Sequence, residues 1–186
     1  VLTHRIAKLV ERGVDPASIL AVTFTNKAAG EMEERLIPLI GRDATDVLWL
    51  GTFHATGVRI LRALAAFTTR KSDFSIYDEH DQLTVVKQAI DELHLDKKQF
   101  SAGDVRDRIV DAKEKALTWS DIPADDKWTE GFVRAWESYE RWLEAANAFD
   151  FEDLLLVPMR LAEGPGAAGE KLRTRFQHVL VDERAE

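Results

Sequence analysis

A short apolar run that ends in a polar turn and continues into a helical pattern occurs twice in the first third of this chain. The first run is Ile19 to Val22 and the second is Val47 to Leu50. Continuous apolar runs of this length are typical of strands buried on both faces of a parallel sheet. Strand, polar turn and helix in alternation predict a doubly wound α/β fold. Val179 to Val181 is a third such run and predicts a further strand.

The region between residues 78 and 148 has a different pattern, in which apolar residues recur at helical spacing and no convincing strand occurs. Asp78 and Ser101 stand where helix caps are expected, and we expect Thr129 to cap a third helix. The sequence therefore predicts an all-helical insertion.

This pattern divides the chain into three segments. Residues 1–77 and 149–186 are predicted to form two parts of one α/β domain, and residues 78–148 the helical insertion between them. Asp150 is expected to cap the first helix of the return segment, with a kink at Pro158.

Composition narrows the class of protein. Hydrophobic residues make up 45% and charged residues 31%, which is ordinary for a globular domain. The absence of cysteine excludes disulfides and thiolate metal sites. No apolar run approaches the roughly 20 residues that span a bilayer. The first residues do not resemble a signal peptide and lack an initiator Met, so we expect a cytoplasmic protein whose chain begins upstream.

Acidic residues are concentrated in the middle of the chain. The net charge is −8, but residues 1–77 hold 10 Lys and Arg against 8 Asp and Glu, whereas residues 78–148 hold 10 against 17. A local nucleic-acid contact in the first segment is therefore compatible with the overall negative charge.

Polar clusters follow all three predicted strands, at the carboxyl ends where open α/β sheets bind ligands. They are Thr23, Phe24, Thr25, Asn26 and Lys27; Gly51, Thr52, Phe53 and His54; and Asp182 with Glu183.

The first two clusters share hydroxyls, an aromatic ring and a further hydrogen-bonding group. The start of a helix suits phosphate, and Phe24 suits stacking on a nucleobase. The alternative is a helix cap at Thr25 or Asn26 with Phe24 in the core. His54 has no companion at metal-ligand spacing, so we expect it to hydrogen-bond backbone or phosphate.

An Asp at the end of such a strand can hold Mg²⁺, and a neighbouring Glu can polarise an attacking water. Asp182 and Glu183 fit these roles. A pair of solvated acids at a strand end is the alternative.

Five ordered segments resemble the UvrD/Rep/PcrA group of superfamily 1 helicases. Residues 21–32 resemble motif Ia, residues 51–54 the next motif, and residues 178–183 motif II, the Walker B element. Residues 74–82 resemble the entry to the family's inserted subdomain, and residues 149–155 the return to the motor domain.

This resemblance implies an incomplete RecA-like parallel sheet with an inserted helical subdomain. It further implies ATP and Mg²⁺ as cofactors, and 3′-to-5′ movement on single-stranded DNA and at duplex junctions, in repair or replication with partner proteins. Asp182 would hold Mg²⁺ and Glu183 would be the catalytic base. The residues that would contact DNA are Thr23, Phe24, Thr25, Asn26, Lys27, Thr52, Phe53 and His54.

Two departures from the family pattern matter. The Gly-rich Walker A loop is absent and would lie before Val1, and the family's usual aromatic, Gln and Asp after motif II are replaced by Arg184, Ala185 and Glu186. Two alternatives therefore stay open beside the helicase fragment: a non-catalytic DNA-binding or protein-interaction module, and part of a recombination helicase-nuclease subunit.

We expect the 186-residue chain to neither hydrolyse ATP nor unwind DNA, because none of its residues forms a loop that cradles the β- and γ-phosphates. Phosphate release from purified chain incubated with ATP and Mg²⁺ should equal the rate without protein. Mg²⁺-dependent turnover that persists through further purification would contradict this expectation.

Overall fold

The computed structural model describes residues 2–182, which divide into two compact units. The sheet unit comprises the described parts of residues 1–60 and 159–186, and the helical unit comprises residues 61–158. The predicted helical insertion, residues 78–148, lies within the helical unit. Its assignment as a separate subdomain with those bounds stays a prediction.

Five strands and the helices between them follow the chain in a simple order. The strands are β1 (Ile19–Thr23), β2 (Trp49–Thr52), β3 (Ser75–Tyr77), β4 (Ala148–Asp150) and β5 (His178–Val181). The helices are α1 (Leu2–Glu11), α2 (Asn26–Ile40), α3 (Arg42–Val47), α4 (Phe53–Ala63), α5 (Glu79–Glu92), α6 (Ala102–Glu114), α7 (Lys127–Ala145), α8 (Asp153–Glu163) and α9 (Ala167–Arg175).

The sheet unit contains a three-stranded parallel sheet in the order β2-β1-β5. All five residues of β1 are buried, as expected for a central strand with side chains packed on both faces. Ile6 of α1 and Leu36 of α2 are fully buried in the same core as Ile19 and Ala21. The parallel α/β architecture predicted from the sequence is confirmed.

The second strand is displaced from its predicted position. Residues 47–50 were expected to form it, but Val47 ends α3 and the strand begins at Trp49. Gly41, with φ at +83°, lies between the end of α2 and the start of α3, and the Thr45 hydroxyl donates to its carbonyl oxygen. The apolar run therefore spans an exposed helix end, Val47, and a strand, because apolar character alone does not distinguish the two.

Among the described residues, β5 pairs only with β1. Val179 and Val181 on this strand are 60% and 40% exposed. An unpaired strand edge of this kind is a site for self-association.

In the helical unit, α5, α6 and α7 pack around one core, with Trp136, Tyr139 and Leu143 almost completely buried. Asp78 forms a capping box at the start of α5, and Ser101 caps α6, as predicted.

The predicted cap at Thr129 is wrong. Asp126 caps α7, because its carboxylate accepts hydrogen bonds from the backbone N–H groups of Trp128 and Thr129 and from the Thr129 hydroxyl. These bonds, chiefly that from the Thr129 N–H, lower the pKa of Asp126.

Two short strands flank the helical region and pair in parallel, which the sequence did not predict. They are β3 and β4, with Ile76 opposite Phe149. Three residues are too few for an alternating pattern to be visible. Asp150, at the end of β4, accepts a hydrogen bond from the N–H of Asp153, the first residue of α8, although it lies three residues before that helix. Pro158 lies inside that helix.

The helices of residues 2–182 include none with the length and apolar character needed to cross a membrane.

The packing around Gly131 of α7 leads to a stability prediction. A Cβ at this position would lie 2.9 Å from Cε1 of Phe100 and still closer to Cζ. Phe100 is 5% exposed and stacked on Trp128, so its ring cannot move aside without cost. Overpacking of this kind costs about 1–3 kcal/mol, against a gain of about 1 kcal/mol in helix propensity. We expect Gly131→Ala to lower the midpoint of urea unfolding.

Gly103 of α6 is the matched control, because a Cβ there would meet nothing within 4 Å. Gly103→Ala should leave the midpoint unchanged or raise it. Equal shifts of the unfolding midpoint by the two substitutions, or a higher midpoint for Gly131→Ala, would show that Phe100 does not restrict position 131.

Candidate nucleic-acid interface and nucleotide site

The carboxyl ends of the three parallel strands bring the first two polar clusters, and Asp182 of the third, to one edge of the sheet. Thr23 of β1 stands in register with Thr52 of β2. On the other side, the N–H of Asp182 donates to the carbonyl oxygen of Val22 at 2.9 Å. Residues that are far apart in sequence therefore lie at one edge, as expected for a ligand site of an open α/β sheet.

Two aromatic rings stand together at this edge. Phe24 follows β1 and Phe53 begins α4, and their ring centroids lie 5.2 Å apart at an interplanar angle of 57°. Phe24 is 56% exposed, so the interpretation that placed it in the core is wrong. An exposed ring supported by a second ring presents an apolar face on which a planar group can stack.

The start of α2 adjoins these rings. Thr25 caps the helix, since its hydroxyl oxygen accepts from the Ala28 N–H at 3.1 Å. The side chains of Thr25, Asn26 and Lys27 are exposed. Backbone N–H groups of the first helical turn and the positive end of the helix dipole favour an anion at this position.

The other two threonines of the clusters have local hydrogen-bond partners. Thr23 is fully buried, and its hydroxyl donates to the carbonyl oxygen of Thr25 at 3.0 Å. Thr52 is half-buried, and its hydroxyl oxygen accepts from the Ala55 N–H at 3.3 Å. Both bonds shape the turns that carry the exposed side chains.

The remaining predicted site residues lie at the same edge or outside the described part. His54 is half-buried in the first turn of α4, and Asp182 is half-buried directly after β5. Glu183 lies outside the described residues.

Asp182 follows β5 at the carboxyl edge, and its carboxylate is the type of oxygen ligand that Mg²⁺ prefers. The described residues do not by themselves complete a site for ATP. Among residues 2–182, no Gly-rich loop provides the backbone N–H groups that cradle its phosphates.

A second carboxylate group, which the sequence did not reveal, lies within the helical unit. Glu140, Asp150 and Asp153 bring carboxylate oxygens within 4.8 Å of one another, close enough to suggest a metal site. The ammonium of Lys113 contacts all three instead, with Nζ–O distances of 2.8, 2.6 and 2.9 Å, respectively. The lysine supplies the positive charge that a metal ion would bring, so we interpret this group as an internal ion cluster.

Burial and mutual repulsion perturb the acids of this cluster. Burial, only partly offset by Lys113, raises the pKa of Asp153 to about 7. Asp150 has a lowered pKa, because Lys113 and hydrogen bonds from the Asp153 N–H and the Tyr139 hydroxyl stabilise its ionised form. Nearby carboxylates raise the pKa of Lys113 despite burial, so it stays charged. The cluster therefore binds a proton at Asp153 below about pH 7.

The parallel sheet with polar residues at its carboxyl edge defines an α/β domain with a candidate ligand site at that edge. Sequence comparison narrows this class. The chain matches the UvrD/REP helicase N-terminal domain family over residues 1–184, and it belongs to that family. The resemblance noted in the sequence, and the incomplete RecA-like fold that it implied, are confirmed.

Individual relatives agree with this assignment. The chain is 38% identical over 186 residues to the ATP-dependent DNA helicase PcrA of Staphylococcus aureus (strain Mu50 / ATCC 700699). This match covers 98% of this chain and 25% of the relative. It is 40% identical over 192 residues to the ATP-dependent DNA helicase UvrD1 of Mycobacterium bovis, covering 98% of this chain and 24% of the relative. The chain thus spans about a quarter of the length of the curated relatives it matches.

The ion cluster predicts a pH dependence of stability. The pKa of Asp153 is about 7 in the folded state and about 4 in the unfolded state. Between about pH 4 and pH 7, Asp153 is therefore protonated in the folded chain and ionised in the unfolded chain. The contribution of Asp153 to the free energy of unfolding is therefore full below about pH 4 and is lost as the pH rises towards 7. We expect Asp153→Asn to lose less stability over this range than the unmodified chain.

Urea unfolding at several pH values between 4 and 8 measures this difference. Asp125→Asn, at an exposed acid before α7, is the control and should retain the pH dependence of the unmodified chain. An unchanged slope in Asp153→Asn would show that Asp153 is ionised throughout the range.

Proposed function

We propose that this chain is the N-terminal motor segment of an ATP-dependent DNA helicase, whose sheet edge holds single-stranded DNA. The observation that carries the proposal is the pair of rings, Phe24 and Phe53, beside the exposed start of α2. Family membership supports it, since the relatives named above are ATP-dependent DNA helicases.

Each residue of the proposed DNA interface has a role that follows from its exposure. Phe24, supported by Phe53, stacks on a base, a contact that tolerates any sequence because every base has a π face. Thr25, Asn26 and Lys27 face the phosphate backbone at the start of α2.

Thr52 and His54 extend this interface along the start of α4. Thr23 is fully buried, so its part is to hold the turn before Thr25 rather than to contact DNA.

The proposed nucleotide site lies at the same edge. Asp182 would hold Mg²⁺, and Glu183 would act as the catalytic base for ATP hydrolysis. Bound Mg²⁺ would neutralise charge on the β- and γ-phosphates. A phosphate-cradling loop supplied by the rest of the protein would complete the site. Because DNA and nucleotide would share one sheet edge, hydrolysis at β5 can be coupled to movement of a strand held at β1 and β2.

The finer features of the proposal come from the family resemblance. Movement is proposed to run 3′ to 5′ in DNA repair or replication, with residues 1–77 and 149–186 in the motor domain. The helical insertion, residues 78–148, is proposed to engage duplex junctions. Its net charge of −7 restricts DNA contacts there to local ones.

Phe24→Ala tests the DNA interface directly. Fluorescence anisotropy with a labelled single-stranded oligonucleotide should show binding that weakens with salt, as phosphate contacts require. Removal of the ring should weaken binding by about 1–3 kcal/mol, the contribution of one base stack.

Phe151→Ala is the matched control, because Phe151 is similarly exposed, at 49%, but belongs to the helical unit and to none of the predicted DNA-contacting segments. It should bind like the unmodified chain. Equal affinity for all three proteins, each shown to be folded by circular dichroism, would exclude Phe24 from the interface.

A further inference from the structure

Two arginines of the sheet unit stack on one tryptophan. The guanidinium carbons of Arg59 and Arg175 lie 4.0 and 4.7 Å from the ring centroid of Trp49. Trp49 is 5% exposed and is braced by Phe176, whose ring meets it edge-on at 4.9 Å. The buried indole thus fixes the position of two cations.

Both guanidinium carbons lie within 5 Å of the same ring centroid, and neither arginine is paired with a carboxylate among the described residues. The pKa of Arg59 is lowered, first by burial and second by the charge of Arg175. Like charges held near each other repel, and an anion bound close to both would offset that cost.

Arg59, Arg175 and Trp49 form a cluster whose side chains offer hydrogen-bond donors only. Each guanidinium offers a planar fork of N–H groups that matches an oxyanion. The Nε1–H of Trp49 is buried and has no acceptor among the residues described. A cluster that presents donors and positive charge, but no acceptor, is complementary to an anion with several oxygens.

The cluster lies away from the proposed DNA interface. Trp49 is the first residue of β2, and Arg175 and Phe176 precede the start of β5. Thr52 and Asp182 stand at the opposite, carboxyl ends of the same two strands. An anion bound at the amino ends would therefore leave the carboxyl edge accessible.

We propose that Arg59 and Arg175, held on Trp49, form a second anion site that binds phosphate. Two guanidiniums are neutralised by about two negative charges. One phosphate monoester dianion carries both charges, and two successive phosphodiesters of a nucleic acid carry one each. A single carboxylate would neutralise only one of them. The phosphate can come from a free small molecule or from a nucleic-acid strand.

Titration with inorganic phosphate, followed by the indole N–H resonances of the ¹⁵N-labelled chain, tests this site. The Trp49 resonance, assigned by its loss in Trp49→Phe, should shift with phosphate, while the other four indole signals stay in place. Arg59→Gln and Arg175→Gln should each weaken phosphate binding about tenfold, the loss expected for one charge-assisted hydrogen-bonding group. Arg12→Gln, at an exposed arginine of the same unit, should bind like the unmodified chain.

A second titration with oligothymidylate, performed in Phe24→Ala, identifies the source of the phosphate. A shift of the Trp49 resonance by both ligands assigns the site to a nucleic-acid backbone, and a shift by inorganic phosphate alone assigns it to a small phosphate. A Trp49 resonance that neither ligand moves overturns the proposal, as does equal loss of binding in Arg12→Gln and Arg59→Gln. Because this readout does not depend on Phe24, its failure would leave the proposed DNA interface untouched.

Discussion

The burial of β1 between two parallel neighbours is the constraint on which the site depends. A strand with all five residues buried can satisfy its backbone groups only by pairing on both sides, here with β2 and β5. The parallel register then aligns three carboxyl ends, which places Phe24 beside Phe53 and Asp182 beside Val22. No single polar cluster defines a ligand site, but the sheet brings the first two clusters and Asp182 to one edge.

Much of this arrangement was predictable, because it rests on continuous apolar runs and on the residues that end them. The runs that became β1 and β5 were found in place, and the caps at Asp78 and Ser101 follow from local side-chain chemistry. The apolar pattern gave the wrong boundary where one apolar run belongs partly to a helix and partly to a strand. Residues 47–50 are all apolar, but Val47 is an exposed helix end and the strand begins at Trp49, so this boundary was not visible in the sequence.

Long-range ionic and aromatic contacts were beyond sequence reasoning. Lys113 meets Asp150 and Asp153 across 37 and 40 residues, and nothing in the spacing of these residues distinguishes them from solvated charges. The stacking of Arg59 and Arg175 on Trp49 likewise depends on the way α4 and α9 return to the amino ends of β2 and β5. Such groups become apparent only after the topology is known.

We infer that the carboxyl ends of β1 and β2 hold single-stranded DNA. Hydrogen–deuterium exchange of the chain, with and without a saturating single-stranded oligonucleotide, follows both segments at once. If this inference holds, exchange slows in peptides that cover residues 23–27 and 52–54. DNA that binds while leaving both segments unprotected, and slows exchange only in the helical unit, would contradict it.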